Sequence, residues 1–260
     1  MILYFSATGN NKYIAEKIAM ELDDHAVSIE KFNTEKIRLR NGESFGIVVP
    51  TYFLELPANV KEFLQSMVFE CGGDNYVFGV VTYGSIPGAS GINLKKLLRA
   101  KGIRIDALYS IITPDTWTIV YDLSDKEKVV ETLKVTQDQL KKVIGRIRAK
   151  EKGDFIPWRL PYLITSIYDP LYNRARNTSH FKVEGGCIGC GLCERSCPVK
   201  AIKIENNKPI WIKEKCIACL RCLHNCPTFS IQYGNKTKAH GQYRTTMYLE
   251  DEVTDEVRSK

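Results

Sequence analysis

The chain has 260 residues, 44% of them hydrophobic and 26% charged, enough apolar material for one large domain or two ordinary ones with packed cores. No apolar run reaches the ~18 residues that cross a bilayer, and the start lacks the basic, apolar and small-residue order of a secretion signal, so a cytoplasmic protein without a membrane span is expected. The formal charge of +7 brings nucleic acid and anionic surfaces into consideration as partners.

In chain order, apolar runs alternate with amphipathic stretches through residues 1–150. Strands are predicted at Ile2–Phe5, Ala26–Ile29, Phe45–Val49, Tyr76–Thr82 and Arg104–Ile112. The runs Gly46-Ile47-Val48-Val49 and Val77-Phe78-Gly79-Val80-Val81 are continuously apolar, as strands covered on both faces are, which predicts a parallel sheet. Helical stripes lie between them: Ile14, Ala15, Ile18, Ala19 and Leu22; then Val60, Phe63, Leu64 and Met67; then Ile92, Leu94, Leu97 and Leu98. Ser124 followed by Glu127 reads as a capping box opening a long helix to about Lys150. Such alternation predicts a doubly wound α/β domain.

The first strand runs into Ser6-Ala7-Thr8-Gly9-Asn10-Asn11 and then a helix. A small, hydroxyl-rich turn at a helix N-terminus suits a phosphate, because amides and the helix dipole face the anion. Walker-type Gly-Lys-Ser/Thr is absent, which argues against ATP or GTP. In a doubly wound sheet ligands sit beyond the carboxyl ends of the strands. There the third strand ends in Pro50-Thr51-Tyr52-Phe53 and the fourth in Thr82-Tyr83-Gly84-Ser85, with Gly88 in the following loop. Three loops at one edge, two of them aromatic, suit a flat ring system. Trp117, in the loop Thr113-Pro-Asp-Thr-Trp117, either covers that ring or packs.

From 151 to 180 the periodicity breaks at Pro157, Pro161 and Pro170, among Trp158, Tyr162, Ile164, Ile167, Tyr168 and Tyr172 and the basic Arg159, Arg174 and Arg176. This reads as an ordered connector. Residues 181–234 hold eight of the nine cysteines; the ninth, Cys71, is expected to be a plain thiol. The run from Cys187 to Pro198 recurs 29 positions later, from Cys216 to Pro227, an internal duplication around two similar ligands. Each run reads C-x₂-C-x₂-C-x₃-C-P. Three thiolates wrap one [4Fe–4S] cubane and the fourth cysteine ligates the other cluster. The expected sets are Cys187, Cys190, Cys193 and Cys226, and Cys216, Cys219, Cys222 and Cys197. Structural zinc prefers two C-x₂-C pairs set further apart. The segment resembles bacterial-type two-cluster ferredoxins, which implies a small α+β domain and low-potential one-electron transfer. Residues 235–260 are polar and read as a loosely ordered tail.

Ser6-x-Thr8-Gly9-Asn10 also matches the FMN-phosphate loop of flavodoxins, and residues 50–53 and 82–91 fall where that family has its two ring-binding loops. The resemblance covers about residues 1–150. It implies a flavodoxin-like, five-stranded parallel sheet of order 2-1-3-4-5, with Ser6, Ala7, Thr8, Gly9, Asn10 and Asn11 at the phosphate. Pro50, Thr51, Tyr52, Phe53, Thr82, Tyr83, Gly84, Ser85 and Gly88 would then lie toward the ring. Asn11 stands where the family usually has Thr, at the cost of one phosphate contact. Taken whole, the chain resembles flavodoxin–ferredoxin fusion proteins, the iron–sulfur flavoproteins of anaerobes.

FMN and two [4Fe–4S] clusters together carry about −6, which brings +7 to roughly +1 and removes the case for nucleic acid. The expected function is an electron-transfer flavoprotein working between redox protein partners and joining one-electron to two-electron carriers. The alternatives are an FMN-dependent reductase of a small molecule, fed by the clusters, and a redox- or oxygen-sensing interaction protein. A helix over 124–150 would carry the chain roughly 40 Å from the flavin edge. An extended connector spans that distance; a packed one would set the clusters against the flavin of a second subunit, in a homodimer. No His triad or paired carboxylates stand out, so no catalytic residue is assigned; His25, His180, His224 and His240 read as structural or solvated.

Overall fold

The continuously apolar runs pair side by side in one parallel sheet, as residues that find apolar cover on both faces must. The structure, a computed structural model, describes residues 1–32, 35–157 and 168–249, and of Cys71 only the backbone. It divides into two compact units. One comprises residues 1–6, 11–114 and 132–172, the other residues 7–10, 115–131 and 173–260.

In the first unit β1 (Ile2–Tyr4) lies between β2 (Ala26–Ser28) and β4 (Ser44–Pro50). β6 (Tyr76–Tyr83) pairs with β4 and is followed by β7 (Ala107–Ile112) and the two-residue β8 (Gly153–Asp154). The sheet order is therefore β2-β1-β4-β6-β7-β8. Its first five strands keep the expected 2-1-3-4-5 order, and β8 extends the edge to six. A separate parallel pair, β3 (Lys36–Leu39) with β5 (Val68–Cys71), was not expected from the pattern.

The sheet's helices are α1 (Asn10–Glu21), α2 (Ala58–Ser66), α3 (Ser90–Ala100) and α4 (Lys126–Arg148). From the expected stripes Ile14 and Ile18 on α1, Val60 and Leu64 on α2, and Leu94 and Leu98 on α3 are buried; on α4, for which no stripe was predicted, Leu133, Leu140 and Ile147 are buried. Phe5, just past β1, and Phe45, Ile47 and Phe78 on the strands are buried as well. Fully burying a large apolar side chain contributes about 1.5–3 kcal/mol. Along α4, Thr136 Oγ1 donates to the Ile112 carbonyl at 2.7 Å and Gln139 Oε1 accepts from Ile112 N at 2.8 Å, holding the helix to β7. The start of α4 lies one residue past the expected box. Asp125, rather than Ser124, accepts the Lys128 N–H, at 3.2 Å, because a carboxylate satisfies the orphan amides and also meets the positive end of the helix dipole.

In the second unit two antiparallel strand pairs repeat the 29-residue period. β9 (Phe181–Val183) pairs with β12 (Ile231–Tyr233), and β10 (Ile202–Glu205) with β11 (Lys208–Trp211). Asn206 and Asn207, at φ 49° and 60°, make the tight turn of the second pair, a conformation Asn tolerates well. One-turn helices follow at Leu192–Arg195 and Arg221–His224. Phe181, Ala201, Cys216, Leu220, Leu223, Ile231 and Tyr233 form a small core. The chain after Gly234 departs from the expected loose tail: Thr237 and Tyr243 are fully buried and Thr245 nearly so. The hydroxyls of Thr237, Tyr243 and Thr245 are satisfied by hydrogen bonds to buried groups, which composition does not reveal. Residues 250–260 lie outside the described residues, as do Trp158, Arg159, Pro161, Tyr162, Ile164 and Ile167 of the connector.

Candidate functional site

The carboxyl edge of the parallel sheet is assembled from the ends of β1, β4 and β6. Asn11 is the bracket. Its Nδ2 donates to the Phe5 carbonyl at 2.8 Å and its Oδ1 accepts from Thr82 Oγ1 at 2.6 Å, so the ends of β1 and β6 are tied through one buried amide. Both bonds run into the protein, which explains the tolerance of Asn at this position. Ser6 and Ala7 are half-buried at the start of the loop.

After β4, Thr51 N donates to the Thr82 carbonyl at 2.7 Å. Tyr52 and Glu55 then close a two-residue turn by reciprocal backbone bonds of 2.8 and 2.9 Å. The residues inside it, Phe53 and Leu54, have φ 50° and 66°, a left-handed backbone that costs non-glycine residues roughly 1–2 kcal/mol each. The turn is held from outside. Leu54 O accepts from Ala89 N at 2.8 Å, Thr51 Oγ1 donates to Pro87 O at 3.3 Å, and the Glu55 carboxylate meets Lys61 at 2.5 Å and Asn93. Gly88 is built into this seam: at φ 58°, its added Cβ would stand 2.3 Å from Leu54 O. Gly88 is therefore a close-approach residue within the seam. Tyr52 lies edge-on to Phe5 at 6.4 Å and Phe53 tilts against Tyr172 at 5.2 Å. Pro50, Tyr83 and Gly84 are half-buried at the same edge, and Ser85 is exposed.

Thr8, Gly9 and Asn10 belong to the second unit. There Thr245 N donates to Thr8 O at 2.9 Å, and the hydroxyls of Tyr243 and Thr245 donate to Asn10 Oδ1 at 2.5 and 2.7 Å. Trp117, in this unit too, tilts against Tyr233 at 5.6 Å and packs on the small core beside Cys193 and Cys222. Asp115 Oδ1 accepts the Trp117 N–H at 3.0 Å, and burial pushes its pKa up to about 6. His224 is buried and held near pKa 4, because desolvation disfavours its cation. Tyr243 N donates to His224 Nδ1 at 3.2 Å, so Nε2 carries the proton and donates to Thr116 O at 2.9 Å. His240 Nδ1 lies 2.6 Å from Thr118 O, so these two of the four histidines are structural.

The eight clustered thiols line two pockets. One is lined by Cys187, Cys190, Cys193 and Cys226 with Ile188, Ile204 and Pro209. The other is lined by Cys197, Cys216, Cys219 and Cys222 with Phe181, Trp211 and Leu220. In each, three cysteines of one run meet the fourth of the other. Gly189 and Gly191 hold φ 68° and 72° around Cys190, and their counterparts Ala218 and Leu220 hold 54° and 52° around Cys219. Backbone N–H groups aim at sulfur: Ala201 to Cys197 and Ala218 to Cys216, both at 3.2 Å, and Ser230 to Cys226 at 3.3 Å. Burial in these apolar walls pushes Cys193 up to about 11, Cys219 to about 12 and Cys222 upward as well. Among the described residues no three His, Cys, Asp or Glu side chains converge on a single ion. Four thiols around a shared space, with amides directed at sulfur, fit a polynuclear cluster, whose irons neutralise the thiolates that the walls disfavour.

Flavodoxin domain is the description of the family that matches residues 1–142, and 4Fe-4S dicluster domain that of the family matching 181–244. The first match covers more than half of the chain, which belongs to the flavodoxin domain family. With the second, it is a flavodoxin–ferredoxin fusion, an electron-carrying iron–sulfur flavoprotein whose domains imply a flavin, iron–sulfur clusters and redox partners. Among solved structures, a flavodoxin from the domain Archaea is 17% identical, over 55% of this chain and 96% of its own, at TM-score 0.31. Rubredoxin oxygen:oxidoreductase from the anaerobe Desulfovibrio gigas is 15% identical, over 54% of this chain and 35% of its own, at TM-score 0.30. A flavone reductase is 10% identical, over 100% of this chain and 92% of its own, at TM-score 0.35. No curated protein matches the chain. No described helix is long and apolar enough to cross a membrane.

Proposed function

We propose that this protein binds FMN and two [4Fe–4S] clusters and relays low-potential electrons between protein partners. The flavin supplies a carrier of one or two electrons and each cluster a carrier of one, so the chain joins the two kinds of chemistry. The sorting of eight thiols into two quartets, each completed by the distant Cys226 or Cys197, carries the reading. In it, Cys187, Cys190, Cys193 and Cys226 hold one cluster and Cys197, Cys216, Cys219 and Cys222 the other. The amides of Ala201, Ala218 and Ser230 lower the charge on sulfur.

Ser6, Ala7, Thr8, Gly9 and Asn10 hold the FMN phosphate with backbone and side-chain donors, as an anion at a helix N-terminus requires. Asn11 serves as the brace behind that loop. Pro50, Thr51, Tyr52, Phe53, Thr82, Tyr83, Gly84 and Ser85 form the ring-facing edge. The left-handed Phe53-Leu54 turn, held rigid by its seam with residues 87–89, supports this assignment, since strained backbone persists where its surroundings over-determine it. Gly88 keeps that seam closed, and Trp117 steadies the cluster-bearing core.

The test is anaerobic purification with iron, acid-labile sulfide and flavin quantified, where about eight iron, eight sulfide and one FMN per chain are expected. Cys226→Ser and Cys187→Ser should deplete the same cluster spectroscopically, and Cys197→Ser the other. Stoichiometric zinc, or Cys226→Ser grouping with Cys216→Ser, would refute the assignment.

A further inference from the structure

The stretch from Gln242 to Thr245 is tied at both ends. Gln242 Nε2 donates to the carbonyls of Leu223 and Cys226 at 2.7 and 2.8 Å, and Tyr243 N to His224 Nδ1. Three residues on, Thr245 and Tyr243 grip residues 8–10. Tyr243 is fully buried, and Thr245, Thr8 and Asn10 are 3%, 8% and 8% exposed. These bonds are made away from bulk water, where an unpaired group is costly.

Their directions matter more than their number. An amide side chain offers an acceptor at one end and donors at the other, and only the donors attract an anion. A carbonyl-type oxygen has two lone pairs. The Tyr243 and Thr245 hydroxyls both donate to Asn10 Oδ1, and Thr245 Oγ1 also lies 3.3 Å from Thr8 O. The Asn10 amide is thereby fixed in one flip, with its Nδ2 protons turned away from residues 243–245. The backbone is fixed in the same sense. Thr245 N holds the Thr8 carbonyl, and in a planar trans peptide the carbonyl and the next N–H point in opposite directions. The Gly9 N–H is therefore turned away from Thr245, on the side opposite the clamp. Gly9 has φ 108°, and a Cβ added there would stand 2.9 Å from Thr245 Cβ and Oγ1, so the fit admits glycine alone.

We infer that Tyr243 and Thr245 are positioning residues for phosphate recognition: they fix the Thr8–Asn10 backbone and orient the Asn10 amide donors so that the loop accepts a flavin carrying a phosphate monoester in preference to one without. This rests on the assignment of residues 6–10 to the FMN phosphate.

The experiment compares FMN with riboflavin, which shares the ring and lacks the phosphate. Each is titrated by fluorescence quenching, under anaerobic conditions, into protein stripped of flavin with its iron content intact. Thr245→Val and Tyr243→Phe remove the two hydroxyls with little change of shape, and Thr245→Ser restores one. Losing a hydrogen bond of ordinary strength should raise the FMN dissociation constant about three- to tenfold in each of the first two variants. Riboflavin binding should change less than about twofold, and Thr245→Ser should return FMN binding to the starting level. Full FMN preference in both variants would overturn the inference, as would equal weakening toward both flavins, the mark of a merely structural role. A starting protein that binds riboflavin as tightly as FMN would overturn the phosphate-loop assignment itself, and the clamp with it.

Discussion

Asn11 and Asp115 make opposite uses of burial. The Asn11 amide satisfies one group on each of two strands, Phe5 O and Thr82 Oγ1. Asn11→Ala removes both of these buried bonds, and should lower unfolding stability by about 2 kcal/mol in urea titrations. Asp115 has a carboxyl whose pKa is raised to about 6 by burial, against about 3.9 in an unfolded chain. The folded state therefore holds its proton more tightly. Its favourable contribution is complete below pH ~4 and is lost as pH rises to ~6. Asp115→Asn, which keeps an acceptor for Trp117 N, should stabilise the protein at pH 7 by on the order of 1–2 kcal/mol, discounted for partial exposure. Melting curves of both forms from pH 4 to 7.5 should converge at the acid end. Neither role could be read from sequence. Asn11 looked like a weakened phosphate ligand because motif position says nothing of where an amide's two ends point. His224 looked merely unremarkable, yet its ring joins the Tyr243 backbone to Thr116.

Elements were more legible where a single periodicity ruled. The strands β1, β4, β6 and β7 fall within a few residues of the apolar runs that predicted them, because a strand covered on both faces leaves no choice of side-chain type. β3 was missed although Lys36-Ile-Arg-Leu39 alternates cleanly, exposed and buried in turn; four residues are too few to stand out, and its partner β5 lies 32 positions on in register. The 29-residue duplication was fully visible in its cysteines, but the backbone repeats more faithfully than the sequence. Lys200 and Phe229 share φ 49°, and Gly189 and Gly191 correspond to Ala218 and Leu220, all at positive φ. The second copy thus holds side chains where the first avoids them. Ala218→Gly should relieve that strain and raise the melting midpoint, a gain of about 1 kcal/mol. Leu220→Gly should not, since Leu220 is buried in the core and its loss outweighs any backbone relief.

At the scale of the molecule, the two units depend on different cohesion. The sheet unit has a wide apolar core, whereas among the described residues the cluster in the cysteine unit comprises seven buried residues, Leu223 and Ile231 among them. A core that small relies on what its thiols bind. Removing iron with a chelator under reducing conditions should collapse amide-exchange protection over 181–244 while β4 and β6 keep theirs; uniform loss in both would contradict this. The unit boundary was the least legible feature, because residues 7–10 and 115–131 group with the C-terminal unit, and no composition shift marks such an exchange. The bond from Thr245 to Asn10 spans 235 positions, which has a consequence for biosynthesis. At ~5–20 residues per second the ribosome needs roughly 10–50 s between the two. Throughout that interval the nascent loop waits without its partner, and its oriented form arises only once residue 245 has been made.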